Sequence, residues 1–208
     1  MQDGGTEGTD TSVGTGMKLT TDLLIGAYAS GMFPMAVNDR GSLGWFSPDP
    51  RALIPLDDRF HIPHGLKRAL KKARFEITVD QDFAGVMRAC ATAHGSTWIS
   101  KQIITSYCEL HAQGFAHSME TRREGKLVGG LYGVHLGGAF FGESMFHYET
   151  DASKTALVAL VERLRAGNFV LLDTQWTTPH LATFGTYEMP RAQYLKLLER
   201  ALKKPCRF

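Results

Sequence analysis

Two short polar clusters carry most of the chemistry legible in this sequence. Glu143 and Ser144 end an apolar run that begins at Ala139-Phe-Phe141, and Asp173 and Gln175 follow Val170-Leu-Leu172. A carboxylate in such a place can anchor a substrate amine or hydroxyl. A carboxylate close to an amide can orient a nucleophilic amine and accept a hydrogen bond from it. Residues two apart on an extended strand point to the same side, so Asp173 and Gln175 are expected to face one way. Structural roles stand beside these readings. Glu143 would carry a desolvation cost unless partnered, so it either anchors a substrate, pairs with Lys154 or caps the next helix. Asp173 and Gln175 either act on a substrate or form a polar strand end bonded to its own loop.

The elements around the clusters decide whether they meet. Gly142-Glu-Ser-Met-Phe146, Asp151-Ala-Ser-Lys-Thr-Ala-Leu157 and Leu171-Leu-Asp-Thr-Gln175 read as strand, helix, strand. Parallel strands joined by one crossover helix lie side by side, with a right-handed connection. In open sheets of this kind the ligand crevice lies outside the carboxyl ends of the strands, so one cleft should hold both clusters. Upstream, Phe75-Glu-Ile-Thr-Val79 alternates as a half-buried strand. Asp82 is placed to cap a helix carrying Phe83, Val86, Met87 and Cys90 on one face, and Ser100 to cap a second helix that ends near Gly114. Strands are expected around 115–121, 127–135 and 138–146, with turns at Glu124-Gly125 and Gly137-Gly138. A helix from Ser153 to Ala166, a strand from Phe169 to Asp173 and a final helix opened by Pro190 complete a β-α-α-β-β-β-α-β-α order.

Ahead of this lie a helix over Thr21–Ser30, a proline-dense turn Trp45-Phe-Ser-Pro-Asp-Pro50 and a strand-like Arg51-Ala-Leu-Ile-Pro55. Residues 1–16 are rich in Gly and Thr with almost no apolar side chains, and are expected to be a disordered tail; Met17 is the more natural start. The division that follows is a tail (1–16), a small N-terminal subdomain (17–74) and a main domain (75–208). With 208 residues, 43% hydrophobic and 21% charged, the composition is that of a soluble globular protein. A net charge of +2 means that nucleic acid would have to bind a local patch. No apolar run reaches the roughly 20 residues of a membrane span, and the three cysteines form no close pair, so a cytoplasmic protein without membrane contact or disulfide framework is expected. Histidines without metal spacing predict no metal site, and a serine hydrolase is disfavoured because Ser144 and His147 lack an orienting carboxylate.

A local patch exists. In His64-Gly-Leu-Lys-Arg-Ala-Leu-Lys-Lys-Ala-Arg74, Lys67 shares a helix face with Lys71, and Arg68 with Lys72, while Leu66 and Leu70 form an apolar edge. Either this is a solvated face, or these residues with Arg74 grip a phosphate backbone, which would relieve the repulsion between like charges. Trp45-Phe46 and Trp98-Ile99 sit in loop-like contexts, where an aromatic platform could stack a base.

With these residues in place, the chain resembles the leucyl/phenylalanyl-tRNA–protein transferases, bacterial enzymes that append an amino acid to protein N-termini. The resemblance runs from about Leu23 to Leu198. It rests on Gly31-Met-Phe-Pro34, Trp45-Phe-Ser-Pro-Asp-Pro-Arg51, Gly95-Ser-Thr-Trp-Ile99, His117-Ser118 with Glu120, Leu127-Val-Gly-Gly-Leu-Tyr-Gly133, Gly142-Glu-Ser-Met-Phe146, Ala152-Ser-Lys-Thr-Ala-Leu157, and Asp173 with Gln175. It implies an α+β mixed sheet like that of the GNAT acyltransferases, with the main domain catalytic and a small α/β subdomain before it. The donor would be an aminoacyl-tRNA carrying Leu or Phe. The segment His147–Ser153 indeed lacks the glycines of a pyrophosphate-binding loop. The donor ester is already activated, so no cofactor is implied.

By the same resemblance, Leu131, Phe140, Gly142 and Leu157 line the pocket for the donor side chain. Such a pocket discriminates one methylene by only about 1–3 kcal/mol, so Met should be tolerated. Glu143, with Ser144 beside it, holds the donor end, and Trp98 with Phe46, next to Trp45, flanks the terminal adenosine. Asp173 and Gln175 orient the acceptor amine, Asp173 as general base or as positioning group. Lys67, Arg68, Lys71, Lys72 and Arg74 hold the tRNA. Acceptors would be proteins beginning with Arg or Lys, marked thereby for N-degron degradation, with Glu143, Asp173 and Glu188 as candidates for the basic side chain. Two positions depart from the family pattern: Phe46 stands in place of a second Trp, and Thr178 in place of an Asn near the acceptor. A monomer is expected. The rivals are a GNAT-type aminoacyl-tRNA-dependent transferase with another acceptor, and a tRNA-binding module without turnover.

Overall fold

The structure, a computed structural model, describes residues 19–37, 42–93 and 98–208. The expected tail over 1–16, Met17 and the Gly95-Ser-Thr97 part of one motif lie outside the described residues. Seven strands form one mixed sheet in the order β4 (Glu76–Val79), β5 (Ala116–Arg123), β6 (Lys126–Leu136), β7 (Ala139–His147), β8 (Leu171–Gln175), β3 (Arg51–Ile54) and β9 (Tyr187–Met189). Only β7 and β8 pair in parallel, and α5 (Ala152–Ala166) is their crossover.

Two-residue periodicity sorts the sheet into two cores. Leu53, Tyr132, Phe141 and Leu171 point to one face, where they pack with α1 (Thr21–Ala29), α3 (Phe83–Thr92), α4 (Lys101–Ala112) and α7 (Arg191–Leu202). Their neighbours Ile54, Leu131, Phe140 and Leu172 point to the other face, against α5 and Leu66 of α2 (His64–Lys71). Close approach of α5 depends on Gly129: a Cβ there would stand 2.5 Å from Ala152 Cβ.

The helix caps form as the sequence predicts. Asp82 accepts from the Gly85 N–H, and Ser100 from the Ile103 N–H. The Glu120 carboxylate, fully buried, accepts from the hydroxyls of Ser118 and Thr78 and seats the Gln81-Asp82 backbone at the start of α3. That satisfies a buried charge and accounts for the Ser118/Glu120 pattern structurally.

Other elements differ from expectation. Residues 33–46 hold a hairpin of β1 (Phe33–Ala36) and β2 (Leu43–Phe46). A short α6 (Pro179–Ala182), capped by Thr178, and β9 follow β8. Arg51–Ile54, grouped with the N-terminal segment on composition, is inserted between β8 and β9 in the large sheet. All four of its residues are buried, which only a sheet covered on both faces provides. Past α5 the left-handed residue is Asn168 (φ 59°), while Gly167 stays at φ −80°.

Candidate active site

Parallel pairing of β7 with β8 runs from Ala139–Leu171 to Phe141–Asp173 and stops there. Beyond it the strands part, and both carry an extra residue at that point. In β7, Gly142 and Ser144 pair with Gly133 and Tyr132 of β6, which leaves Glu143 as the bulged residue. In β8, Asp173 and Gln175 pair with Leu53 and Ala52 of β3, which leaves Thr174 bulged. Bulges bend a strand and re-aim side chains next to functional sites. Here they open the sheet between β7 and β8, so residues of both faces line one cavity of about 280 Å³.

One end of the cavity is apolar, built by Ile54, Leu131, Met145, Leu157, Leu160, Leu172 and Leu181. The other carries Tyr132, Glu143, Ser144, Thr174, Gln175 and Thr178, with Phe33, Met35, Trp98 and Trp176 also in its walls. A volume near the lower bound of small-molecule sites, about 300 Å³, suits one apolar side chain and its polar neighbour better than a whole cofactor.

The polar residues are linked. Asp173 is fully buried and forms a bidentate ion pair with Arg51, whose Nε donates at 2.9 Å to Oδ1 and whose Nη2 donates at 2.6 Å to Oδ2. The Tyr194 hydroxyl donates to Asp173 Oδ2 at 2.6 Å, and the Gln175 backbone N–H donates to Oδ1 at 2.9 Å. That last bond curls the end of β8, holding Gln175 at φ 60°. Asp173 and Gln175 therefore do not share a face as their two-residue spacing predicts: Asp173 turns into the core and Gln175 toward the cavity. Gln175 Nε2 then reaches Glu143 Oε1 at 3.4 Å.

Glu143 takes neither of the structural roles open to it in sequence: Lys154 pairs with Asp151 at 3.1 Å, and the cap position of α5 is Asp151. Burial pushes the Glu143 carboxyl up to about 8, the Asp173 carboxylate adds to this, and a hydrogen bond from Tyr28 and the charge of Arg51 work the other way. Burial works to lower the Arg51 guanidinium, but the touching Asp173 outweighs it, so Arg51 remains a cation. The guanidinium lies 4.5 Å from the ring centre of Tyr194 and 5.2 Å from that of Phe33, and it also donates to the Gly31 carbonyl.

Of the residues singled out in sequence, Trp98, Leu131, Gly142, Glu143, Ser144, Leu157, Gln175 and Thr178 come together around the cavity. Phe140 lies behind it in the core, stacked on Phe208 at 5.2 Å. Phe46 stands one layer out, 6.5 Å from the Trp176 ring and 6.2 Å from Phe33, while Trp45 lines a separate groove with Asp22, Leu23 and Met32. Lys67, Arg68 and Lys71 are exposed on α2 and Lys72 at its C-cap, the helix being anchored by buried Leu66. Arg74, past the end of α2, donates to the Thr150 carbonyl and lies over the Phe75 ring. Glu188 is exposed on β9. In sequence no site role falls on Arg51, Tyr194, Tyr132, Met35 or Trp176, although Arg51 and Tyr132 lie inside the motifs quoted above and Trp176 reads there as a core aromatic. Arg51 left a further signal, as the charged first residue of a four-residue strand whose other members are apolar.

A family model described as leucyl/phenylalanyl-tRNA protein transferase matches residues 53–199, and one described as the N-terminal domain of that transferase matches residues 17–49. A protein of Akkermansia muciniphila named leucyl/phenylalanyl-tRNA–protein transferase is 60% identical over 189 residues, spanning 90% of this chain and 98% of its own length. One of the same name from Herpetosiphon aurantiacus is 54% identical over 191 residues, spanning 92% and 98%. Among solved structures, the crystal structure of FemX superposes on 86% of this chain and 71% of its own with a TM-score of 0.56 and 12% identity, a likeness of fold alone.

Proposed function

The chain belongs to the leucyl/phenylalanyl-tRNA–protein transferase family, and from that membership we propose how its cavity moves Leu or Phe from tRNA to the N-terminal α-amine of a protein. The observation that carries the reading is the cavity at the parting of β7 and β8, apolar at one end and holding a carboxylate and an amide at the other. The donor side chain fills the space between Leu131, Leu157 and Leu172, where an unbranched Met also fits and a charged side chain does not. Glu143 is the one carboxylate lining the cavity among the described residues, and it takes the donor's α-ammonium. A cation arriving there favours the ionised carboxylate that burial disfavours. Trp98 and Met35, with Trp176, supply the flat apolar wall for the terminal base, and Phe46 supports that wall from behind.

Gln175 orients the incoming amine, and Asp173 is a positioning residue. Its oxygens are occupied by Arg51, Tyr194 and the Gln175 N–H, and it acts by fixing the bent backbone that aims Gln175. Little base strength is needed, because an α-amine with a pKa of about 8 is partly neutral near pH 7. Lys67, Arg68, Lys71 and Lys72 meet tRNA phosphates, which makes recognition there independent of sequence. We further propose acceptors beginning with Arg or Lys, an N-degron role, a cytoplasmic setting and a monomeric enzyme. No described helix is long and apolar enough to cross a membrane. The small N-terminal subdomain is proposed as the segment that closes the cavity through Phe33 and Met35.

Incubation with Leu-tRNA and a peptide bearing N-terminal Arg tests the reading. A peptide heavier by one leucyl residue is expected. Tight tRNA binding without transfer would overturn the reading in favour of a binding module, and transfer only to a different acceptor would overturn the Arg/Lys assignment.

A further inference from the structure

Tyr132 is fully buried, lines the cavity, and its hydroxyl has no hydrogen-bond partner in the free protein. Such a group is costly unless something uses it. The ring is fixed by edge-on contacts with Phe83 and Tyr107, at 5.9 Å in each case, so the hydroxyl cannot swing away to find a partner. Of the other hydroxyls lining the cavity, Thr174 donates to the Ala52 carbonyl, Ser144 interacts with the Cys90 thiol, and Thr178 accepts from the Leu181 N–H that it caps.

Leu131 and Tyr132 are consecutive on β6 and point to opposite faces, yet both line the cavity because it passes through the opened sheet. A donor whose side chain lies on the Leu131 side therefore has its amine and ester carbonyl on the side of Glu143 and Tyr132. The amine takes the carboxylate. The carbonyl oxygen is an acceptor and needs a donor. We propose that the Tyr132 hydroxyl donates to the ester carbonyl oxygen of the aminoacyl group and stabilises the oxyanion that forms there.

In that step the acceptor nitrogen bonds to the carbonyl carbon and the carbonyl π pair moves to oxygen beside Tyr132. The pair then returns, the bond to the ribose oxygen breaks, and the proton lost by the amine ends on that ribose oxygen. Burial and then the charge of Glu143 raise the Tyr132 phenol well above its ordinary value, so the proton stays on the hydroxyl throughout. The inference rests on the transfer reaction proposed above.

Tyr132→Phe removes the hydroxyl and keeps the ring contacts. Losing one oxyanion donor should lower kcat for transfer on the order of 100-fold. KM for aminoacyl-tRNA and for peptide should stay within about twofold. The melting temperature should be unchanged or higher, because an unpartnered hydroxyl has been removed from the free protein. A kcat close to that of the unaltered protein would overturn the proposal, as would a rise confined to the donor KM. A fall in melting temperature would also overturn it, by showing that the hydroxyl has a structural partner. Absence of transfer by the unaltered protein would instead overturn the reaction itself, which keeps the two failures apart.

Discussion

Asp173→Asn is the perturbation with the largest consequence that the structure allows to be worked through. Asn keeps one oxygen, which can still accept from the Gln175 N–H at the Oδ1 position, while its NH2 replaces Oδ2, so the Tyr194 hydroxyl must turn and accept there instead of donating. What is lost is the charge facing Arg51, and Arg51 is fully buried with the Gly31 carbonyl as its other hydrogen-bond acceptor among the described residues. Removing one partner of a buried pair costs about 3–5 kcal/mol, because it leaves an uncompensated charge out of water. That is a large share of the roughly 5–15 kcal/mol that holds a domain together. At about 2–4 °C per kcal/mol for a chain of this size, the melting temperature should fall by about 6–20 °C. Replacing Arg51 as well, in Arg51→Met/Asp173→Asn, removes the stranded charge and leaves chiefly the Gly31 carbonyl without its donor, a cost of about 1–3 kcal/mol. Thermal unfolding of the four proteins, followed by circular dichroism, closes the cycle. The double variant should be more stable than Asp173→Asn alone. A fall of less than a few degrees for the single variant, or a double variant whose loss equals the sum of the singles, would refute the buried pair as the anchor of β8. Activity of Asp173 variants must therefore be read at temperatures where each is still folded.

Three further outcomes follow from the same geometry. A Cβ on Gly142 would lie 3.5 Å from the Asp173 carbonyl, an ordinary contact, so Gly142→Ala should fold normally and narrow the cavity. Its kcat/KM should fall more for Phe-tRNA than for Leu-tRNA, a difference of about 10-fold and at most about 200-fold given the roughly 1–3 kcal/mol that one methylene is worth; equal losses would separate Gly142 from donor choice. Charge reversal at Lys67, Arg68, Lys71 and Lys72 should weaken tRNA binding and make log K against log salt shallower by up to about 0.7–0.9 per lost phosphate contact; an unchanged slope would leave α2 a solvated face. Glu143 holds its proton up to about pH 8 in the folded chain but only in the ordinary carboxylate range when unfolded, so the unaltered protein loses stability between the two as pH rises. Glu143→Gln should therefore gain on it across that window and keep a constant advantage above about pH 8, which urea titrations at pH 5, 7 and 9 would show.

How far the site was legible follows from which forces act locally. Asp82 and Ser100 cap their helices by bonds three residues away, and such signals survive in any context. The crossover from β7 to β8 was equally plain, because an amphipathic helix between two apolar runs has few ways to pack. Glu143 and Thr174 are different: their bulges arise only when β6 and β3 pair alongside, so no window of sequence reveals them. The same holds for Gln175, whose left-handed backbone breaks the alternation expected of β8. Arg51 looked like the edge of a proline turn. Its role appears only when Asp173, 122 positions away, is placed beside it in the core. Met35, rather than Phe46 and Trp45, reaches the cavity because a hairpin invisible in the proline-rich segment sets which side chains face inward, and Trp176 reaches it from the residue that follows the bent end of β8.

The central claim is that the opening between β7 and β8 holds the aminoacyl end of tRNA. A crystal structure with a non-hydrolysable phenylalanyl-adenosine amide tests it most directly. The benzyl group is expected between Leu131, Leu157 and Leu172, the α-amine on Glu143 and the adenine against Trp98. A phenyl ring in the groove beside Trp45, or an amine remote from Glu143, would contradict it.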